Sequence, residues 1–416
     1  MKLHKLFLIF LILVVGCKAK EEIPVKEKKV VFIIVDGISN DQLKKASTPN
    51  LDAIASNGSY TDAFVGGIKG TIAETPTISA VGYNSLLTGT WANKHNVYGN
   101  NIYNPNYNYP TIFRFLKDSI PSLKTAIFST WLDNRTKLVG ENLEATRNIK
   151  LDYHFDGFEL DTVRFPHDKK RKYIRNIDSI VTNEAERYIK KEAPDVSWVY
   201  LEFSDDMGHG YGDSKEFDEA VHFEDANVGK IYDAITYRKK NFNEDWLFIV
   251  TTDHGRSAKD GRGHGGQSDR ERSTWMVTNK NDFNNYFRTS TVGIVDIFPT
   301  ILDFFNLNIP IELEQELDGI SFYNSKSIKN FRGKYQNDSL HFSWSNIENI
   351  EGEAVISFST HNNFKKGSKD NFKELATVKL SDKKFIKAFP TKKTDTIKYI
   401  LKTKNQILNT TIIIEN

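Results

Sequence analysis

Three short apolar runs rich in β-branched residues stand out along the chain, and each is followed within two residues by an aspartate. These pairs of run and aspartate are Val30–Val35 with Asp36, Val196–Phe203 with Asp205, and Trp246–Thr252 with Asp253. Continuous apolar runs of this length are typical of strands buried on both faces of a parallel sheet. Helical patterns, Lys169–Lys191 and Phe217–Lys239, alternate with them. Because this alternation favours a parallel sheet covered by helices, the pattern predicts an α/β fold.

The positions of the aspartates predict a shared site, because the carboxyl ends of parallel strands line one ligand crevice. Three histidines stand close by in the sequence. One such aspartate alone is most often a helix cap or turn former, and one such histidine is most often a surface residue. The set instead predicts two Zn²⁺ ions, since zinc prefers mixed nitrogen and oxygen ligands, with other divalent metals as alternatives. The predicted ligands are Asp36, Asp205, His209, Asp253, His254 and His264.

A hydroxyl nucleophile is predicted from the segment that precedes Gly89. Ser79 is followed by small residues and then by a helical pattern, which places its hydroxyl at a helix N-terminus. The helix dipole and the free N–H groups there favour an alkoxide or a phosphate, and a bound metal lowers the pKa of a hydroxyl. Thr77 lies two positions earlier and is the alternative nucleophile.

The first residues predict a lipoprotein signal. Leu6–Val15 is an unbroken apolar run, too short to span a bilayer and typical of a signal-peptide core. It leads into a Val-Val-Gly-Cys sequence that resembles a bacterial lipobox and ends at Cys17, the only cysteine, so no internal disulfide is expected. We therefore expect a signal peptide at 1–17, a charged tether at 18–28, and an outer-membrane lipoprotein of the bacterial cell envelope, periplasmic or surface-exposed. The alternative is an uncleaved anchor helix with an incidental cysteine.

Length and composition predict one large domain followed by a smaller one. The chain has 416 residues and a formal net charge of +2, which indicates neither a nucleic-acid-binding surface nor an obligate protein partner. After about residue 330, short and often alternating apolar runs are separated by polar turns. We expect a catalytic domain at 29–328 and a β-rich accessory domain, a small β-sandwich, at 333–416. A stabilising or spacing role for it is favoured over glycan or substrate binding.

A series of ordered motifs resembles the alkaline phosphatase superfamily, and within it the nucleotide pyrophosphatase/phosphodiesterase branch. The motifs are VDG at Asp36, TPNLDAIASNG at Thr48–Gly58, SLLTG at Ser85–Gly89, DxxGH at Asp205–His209, DHG at Asp253–Gly255, GHGG at Gly263–Gly266, VDIFPTILDFF at Val295–Phe305 and LDGISF at Leu317–Phe322. Each motif is weak alone, but their joint order is specific. The resemblance implies an alkaline-phosphatase-like three-layer α/β/α sandwich with a mainly parallel sheet, to which the later runs add the small C-terminal β-sandwich.

The resemblance also implies roles for individual residues. The family's nucleophile stands nine positions before the threonine of the TG pair, which selects Ser79, and its phosphate-binding asparagine stands at the offset of Asn100. Ser79 departs from the diesterase branch, which usually has threonine there, and matches the phosphatases. By the same matching, the residues that hold one metal are Asp36, Ser79, Asp253 and His254, and those that hold the other are Asp205, His209 and His264. The implied reaction cleaves a small-molecule phosphate ester through a phosphoseryl intermediate.

A diester substrate is favoured, with alkaline phosphomonoesterase activity as the alternative. Trp131 stands where the diesterase branch often has an aromatic residue, and Tyr98 and Tyr103 flank the phosphate-binding asparagine. Such rings suit the second organic group of a diester. Arg135 and Lys137 favour the monoester alternative, since either could reach a phosphate as the cationic side chains of phosphatases do.

Two further alternatives are disfavoured. A sulfatase would need a cysteine or serine oxidised to formylglycine, with proline two positions on and arginine four on. After Ser79 those positions hold Val81 and Tyr83, and the only cysteine lies in the signal segment. A surface-binding lipoprotein with a vestigial site would not need the complete set of metal ligands.

Overall fold

The computed structural model describes residues 26–348, 351–390 and 395–414. The predicted signal peptide with Cys17 lies outside these residues. The described strands are β1 (Glu27–Val35), β2 (Ser59–Phe64), β3 (Thr125–Ser129), β4 (Tyr153–Phe155), β5 (Val196–Leu201), β6 (Glu244–Thr251), β7 (Ser273–Thr278), β8 (Val292–Gly293), β9 (Ile328–Gln336), β10 (Ser339–Asn346), β11 (Glu353–Ser359), β12 (Lys373–Lys379), β13 (Lys384–Ala388), β14 (Asp395–Lys402) and β15 (Ile407–Ile414). The described α-helices are α1 (Asn40–Lys45), α2 (Pro49–Asn57), α3 (Ser79–Thr88), α4 (Ala92–His95), α5 (Ile112–Ser119), α6 (Lys172–Glu192), α7 (Phe203–Tyr211), α8 (Lys215–Asn241), α9 (Asp269–Arg272), α10 (Asn285–Thr289), α11 (Ile297–Phe304) and α12 (Ile311–Glu314). In this part of the chain, no helix combines the length and the apolar character needed to cross a membrane.

The central sheet has eight strands in the order β4-β3-β5-β1-β6-β7-β2-β8. β1 is parallel to both of its neighbours, with Val35 opposite Leu201 of β5 and Ile34 opposite Thr251 of β6. β3 and β4 continue the parallel arrangement, whereas β7 is antiparallel to β6 and to β2. The carboxyl ends of β1, β5 and β6 therefore meet at one edge, where the chain segments with the three predicted aspartates follow them.

Alternate residues of β1 pack into two separate cores on opposite faces of the sheet. Phe32 and Ile34 join a core that includes residues of α3, α5 and α11. Val31 and Ile33 join a core that includes residues of α2, α6 and α8. Because helices cover both faces, the strand is apolar without alternation from Val30 to Val35. The predicted three-layer α/β/α arrangement is confirmed.

The end of β5 differs from the prediction. The strand ends at Leu201, and α7 begins at Phe203, the residue predicted to close the strand. Buried Asp178 of α6 accepts hydrogen bonds from the backbone N–H groups of Glu202 (3.1 Å) and Phe203 (2.7 Å), so these donors cannot extend the sheet. Asp205 consequently lies in the first turn of a helix rather than directly after a strand.

The C-terminal part forms two antiparallel sheets, as its alternating runs predict. β13, β10 and β9 form one sheet, and β12, β11, β14 and β15 form the other. β9 begins at Ile328 and so spans the predicted domain boundary. Ile328 and Phe331 join the same core as α3 and α11. Buried Lys94 of α4 adds a polar link, since its Nζ lies 2.6 Å from Asp318 Oδ1 and 2.8 Å from Asn409 Oδ1.

Candidate metal and nucleophile site

Asp36, the residue after β1, is buried beneath two tyrosines. Its Oδ2 accepts hydrogen bonds from the hydroxyls of Tyr83 and Tyr200, the latter at 2.7 Å. Its Oδ1 has no hydrogen-bond partner among the described residues and lies 3.3 Å from His254 Nε2. Burial raises the pKa of Asp36 to about 7, and the nearby Asp205 carboxylate adds to the rise. The tyrosines thus orient one carboxylate oxygen and leave the other for a cation.

Asp253 and His254 follow β6 and form a group with Asp36. Asp253 Oδ1 accepts a hydrogen bond from the N–H of Gly37 (3.1 Å), while its Oδ2 has no such partner in the described part of the chain. His254 Nδ1 lies 2.9 Å from Gly255 O, so Nδ1 carries the proton and the lone pair of Nε2 faces the carboxylates. Burial raises the pKa of Asp253 and lowers the pKa of His254. The ligand atoms of the group lie within 4.8 Å of one another.

A second group is formed by α7 and the loop after β6. Asp205 and His209 lie one helical turn apart, so their side chains share one side of α7. His209 Nε2 is 3.2 Å from Asp205 Oδ2 and 3.0 Å from His264 Nε2. His264 Nδ1 donates a hydrogen bond to Thr77 O (2.9 Å), which directs its Nε2 toward the other two residues. These three ligand atoms also lie within 4.8 Å of one another.

The two groups fit a pair of metal ions. Within the two groups, three buried carboxylate oxygens have no hydrogen-bond partner among the described residues: Asp36 Oδ1, Asp205 Oδ1 and Asp253 Oδ2. Buried oxygens of this kind are costly unless a cation compensates them. Gly37 allows the aspartates to converge, because its φ is +70° and a Cβ there would lie 2.5 Å from Asp205 Oδ1.

Arg256 lies fully buried against the second group, although no sequence pattern singles it out. Its Nη1 is 2.9 Å from Asp205 Oδ1, an ion pair without hydrogen-bond geometry, and its Nη2 donates to the Asp205 carbonyl oxygen. Burial alone would raise the pKa of Asp205, but the Arg256 charge holds it below its usual range. A Cβ at Gly208 would lie 1.8 Å from Arg256 Nη2, so glycine is what lets the guanidinium pack against α7.

Ser79 is the first residue of α3, and Thr77 lies just before the helix. Ser79 Oγ is 3.2 Å from His254 Nε2, so this hydroxyl lies both at a helix N-terminus and beside the first ligand group. The Thr77 hydroxyl is already engaged, since it donates to Gly266 O and accepts from Gly265 N, both at 2.9 Å. Of the two candidate nucleophiles, the geometry favours Ser79.

Asn100 lies beside the first turn of α3. Its Oδ1 accepts a hydrogen bond from the N–H of Ala80 (3.0 Å), in the first turn of α3. Because that oxygen is used, the side-chain N–H groups are the part of the amide that can contact a ligand. The structure thus brings Asn100 next to Ser79.

The two cations predicted near the substrate are paired with carboxylates. Arg135 Nε and Nη2 donate to Asp156 at 2.6 and 2.9 Å, and its Nη1 donates to Glu141 at 2.6 Å. Lys137 Nζ lies 2.8 Å from Asp133 Oδ2. Both residues belong to a short π-helix, and these carboxylates engage their charges.

The contacts of Tyr83 and Tyr200 with Asp36 were likewise not predicted from the sequence. Tyr83 lies four residues after Ser79 on α3, so helical spacing was the available signal for its position. Tyr200 belongs to an apolar strand, where nothing distinguishes it from a core residue. Trp131, the aromatic residue predicted near the substrate, packs edge-on against Tyr83 with 6.3 Å between ring centroids. The Tyr83 side chain therefore lies between Trp131 and Asp36.

The sequence model of the type I phosphodiesterase / nucleotide pyrophosphatase family matches residues 30–265. The chain belongs to this family, and the resemblance drawn from its motifs is confirmed. An uncharacterized pyrophosphatase/phosphodiesterase of Schizosaccharomyces pombe is 23% identical over 252 residues, 58% of this chain and 47% of that protein. Ectonucleotide pyrophosphatase/phosphodiesterase family member 7 of Homo sapiens is 22% identical over 253 residues, 57% of this chain and 49% of that protein. The chain spans about half the length of these curated relatives.

Among solved structures, a 2-O GAG sulfatase aligns with a TM-score of 0.50 at 12% identity, over 77% of this chain and 81% of that chain. At this identity the similarity shows the fold alone. Together with the family and the order of the strands, it confirms the alkaline-phosphatase-like fold. The family is metal-dependent, and this chain carries two candidate groups of metal ligands.

Proposed function

We propose that the chain is a phosphoric ester hydrolase of the phosphodiesterase and nucleotide pyrophosphatase type that acts through Ser79. The observation that carries this proposal is the position of the Ser79 hydroxyl. It begins α3 and lies 3.2 Å from His254 Nε2, beside buried carboxylate oxygens that have no hydrogen-bond partner in the described residues. Membership of the type I phosphodiesterase family supports the same class of reaction.

Two Zn²⁺ ions are the proposed cofactors, because aspartate and histidine side chains make up both ligand groups. The residues that would hold one ion are Asp36, Ser79, Asp253 and His254, and those that would hold the other are Asp205, His209 and His264. Bound ions would lower the pKa of the attacking hydroxyl and neutralise charge on the phosphate oxygens. Other divalent metals with the same ligand preferences are the alternative.

The protein's own groups would supply the nucleophile and its alignment. Ser79 Oγ loses its proton and attacks phosphorus, and its new O–P bond replaces the P–O bond to the leaving group, which takes up a proton and departs as an alcohol while a phosphoseryl ester forms. The backbone N–H of Ser79 and the side-chain N–H groups of Asn100 would hold a nonbridging oxygen, since the N–H of Ala80 is engaged by Asn100 Oδ1. Tyr83 and Tyr200 keep Asp36 oriented throughout. Hydrolysis of the serine ester then releases a phosphomonoester and restores Ser79.

A diester is the favoured substrate, and a phosphomonoester is the second candidate. A monoester dianion calls for additional cationic side chains, yet Arg135 and Lys137 are both paired with carboxylates. Tyr98 and Tyr103 are 49% and 79% exposed on the segment that carries Asn100. Exposed rings near the phosphate site support binding of a second organic group.

The proposed location is the outer membrane of a bacterial cell envelope, through a lipid on Cys17. The apolar run and the lipobox-like sequence before Cys17 support this location. Metabolic labelling with a fatty-acid analogue is expected to mark the wild type and to leave Cys17→Ser unmarked. Equal labelling of the two would reject the anchor without touching the proposed reaction.

A comparison of three nitrophenyl substrates tests the proposed reaction: a phosphodiester, a phosphomonoester and a sulfate ester. We expect the highest kcat/KM on the diester and no measurable turnover of the sulfate. A monoester advantage of more than tenfold, equivalent to about 1.4 kcal/mol of transition-state preference, would make the enzyme a phosphatase. Absence of turnover on all three by metal-loaded protein would favour a binding protein with a vestigial site.

A further inference from the structure

A cavity of about 480 Å³ lies between the catalytic domain and the C-terminal sheets. The catalytic domain contributes Phe64 at the end of β2 and Trp91 after α3 to its wall. β9 contributes Lys329 and Arg332, and β15 contributes Leu408. The cavity therefore combines apolar walls with two cationic side chains, and it exists only because the two domains pack together.

Neither cation of this cavity forms an ion pair within 4.0 Å in the part of the chain that the structure describes, although the Asp318 carboxylate interacts favourably with the Arg332 charge from a longer distance. Lys329 Nζ donates a hydrogen bond to Ser290 Oγ (2.6 Å), and Arg332 Nη1 donates one to Phe331 O (3.1 Å). Burial of the guanidinium lowers the pKa of Arg332, so its charge is partly removed from water. A half-buried charge without a counterion is unfavourable unless a ligand supplies one.

The acidic residues that line the cavity are engaged elsewhere. Asp296 accepts hydrogen bonds from the N–H of Ile320 (2.7 Å), the N–H of Gly293 (2.7 Å) and the hydroxyl of Tyr286 (2.8 Å). These three donors occupy both of its oxygens. Burial nevertheless raises the pKa of Asp296 to about 7, and the residue forms no ion pair with either cation of the cavity within the described part of the chain.

The second acidic residue, Asp318, is likewise satisfied. Its Oδ1 lies 2.6 Å from Lys94 Nζ, and its Oδ2 accepts a hydrogen bond from Trp91 N (2.8 Å). Because Lys94 already neutralises this carboxylate, Lys329 and Arg332 leave the cavity with an excess of positive charge.

We propose that this cavity binds a small organic oxyanion: a carboxylate, a sulfonate or sulfate, or a phosphate ester. Arg332 and Lys329 would contact the anionic oxygens, since a guanidinium matches the geometry of such groups. The organic part would pack against Phe64, Trp91 and Leu408.

The cavity is a separate site from the catalytic one. Ser79 begins α3, whereas Trp91 lies three residues beyond the end of that helix. At about 1.5 Å per residue, the ten residues of α3 place the two sites roughly 15 Å apart. The proposed site is independent of the metal ligands and of the proposed hydrolysis.

Isothermal titration with benzenesulfonate tests the proposal, because this anion has an aromatic ring and no bond that the enzyme can hydrolyse. We expect saturable binding of one benzenesulfonate per chain, with a Kd on the order of 1 mM or tighter. Lys329→Gln and Arg332→Gln should each weaken it at least tenfold. Lys334→Gln is the matched control, since Lys334 lies on the same strand but outside the cavity, and it should bind as the wild type does. Benzamide, which lacks the charge, should not bind.

Ser79→Ala separates this site from the catalytic one and should retain full benzenesulfonate binding. If Ser79→Ala loses binding while Lys329→Gln and Arg332→Gln retain it, benzenesulfonate binds at the proposed metal site, and the proposal is overturned. Equal affinity in Lys329→Gln, Lys334→Gln and the wild type would also overturn it. Arg332→Lys retains the charge and should bind benzenesulfonate in part, with unchanged thermal stability. That result would show that Arg332→Gln loses a contact with the ligand rather than the folded structure of the cavity.

Discussion

Arg256→Met isolates the contribution of the buried guanidinium beside the second ligand group. Methionine retains an unbranched apolar side chain but removes the charge that lies 2.9 Å from Asp205 Oδ1. In metal-free protein, His209 is then the one charged or chargeable partner of Asp205 at hydrogen-bond distance among the described residues, with its Nε2 3.2 Å from Asp205 Oδ2. The variant therefore leaves a buried carboxylate with far less compensation.

Removal of one partner of a buried ion pair costs about 3–5 kcal/mol. The Asp205 side chain is 12% exposed and retains the histidine contact, so the lower end of this range applies, about 3 kcal/mol. For a domain of this size, such a loss lowers the thermal midpoint by about 5 °C. Divalent metal should reduce the difference to less than half, because a bound cation replaces the missing positive charge.

Thermal unfolding followed by tryptophan fluorescence, with chelator and with zinc, measures both effects. Arg262→Met is the matched control, since Arg262 lies in the same loop but is exposed, and it should change the midpoint by less than about 1 °C. An Arg256→Met midpoint equal to that of the control in chelator would show that the guanidinium does not stabilise the aspartate. A deficit that persists unchanged with saturating zinc would refute the assigned relation between Arg256 and the metal site.

Three further predictions concern metals, pH and the paired cations. Metal analysis should give close to two equivalents of zinc per chain, with activity lost in chelator and restored by zinc; full activity of metal-free protein would exclude a metal mechanism. Glu244→Gln should lower the free energy of unfolding at pH 7 by about 1.5–3 kcal/mol, because it removes a charged partner of Arg238 and Trp246. Burial would raise the pKa of Glu244, but the hydrogen bonds from these two residues hold the pKa below its usual range. This stabilisation is present above pH of about 4.3 and is lost as the pH falls through the lowered folded-state pKa, so the stability curves of variant and wild type should converge in acid. Arg135→Ala should lower the thermal midpoint while KM for the diester stays within threefold of the wild-type value. A tenfold rise in KM would instead indicate that Arg135 contacts the substrate.

The strands that carry the aspartates were predictable because they are buried on both faces. A strand covered on both faces reads as a nearly continuous apolar run, as in the part of β1 from Val30 to Val35, and such a run is visible without any tertiary information. β9 is the counterexample, since its sequence IKNFRGKYQ alternates only loosely and its residues are mostly half-buried or exposed. Its sheet partners and the interface with the catalytic domain decide its conformation, and neither is visible locally.

The candidate metal ligands were predictable because their residue types recur with short spacings at strand ends. Arg256 was not, because an arginine two residues after a ligand resembles a solvated loop cation unless the packing against Gly208 is known. Arg135 shows the opposite error, since its charge suggested a phosphate contact, whereas the structure pairs it with Asp156 and Glu141. The role of a single charged residue can be assigned only when the structure shows which residues from distant parts of the chain contact it.

The most direct test of the account compares Ser79→Ala with Thr77→Ala in the turnover of a nitrophenyl phosphodiester. Ser79→Ala removes the proposed nucleophile and one of the four proposed ligands of one ion, and it should lower kcat by about 10³-fold or more in protein saturated with zinc. Thr77→Ala removes two hydrogen bonds to the loop that holds His264, so it should cost stability of about 1–3 kcal/mol and reduce kcat less than tenfold. The reverse ranking, with Ser79→Ala active and Thr77→Ala inactive but folded and metal-loaded, would contradict the assignment of Ser79.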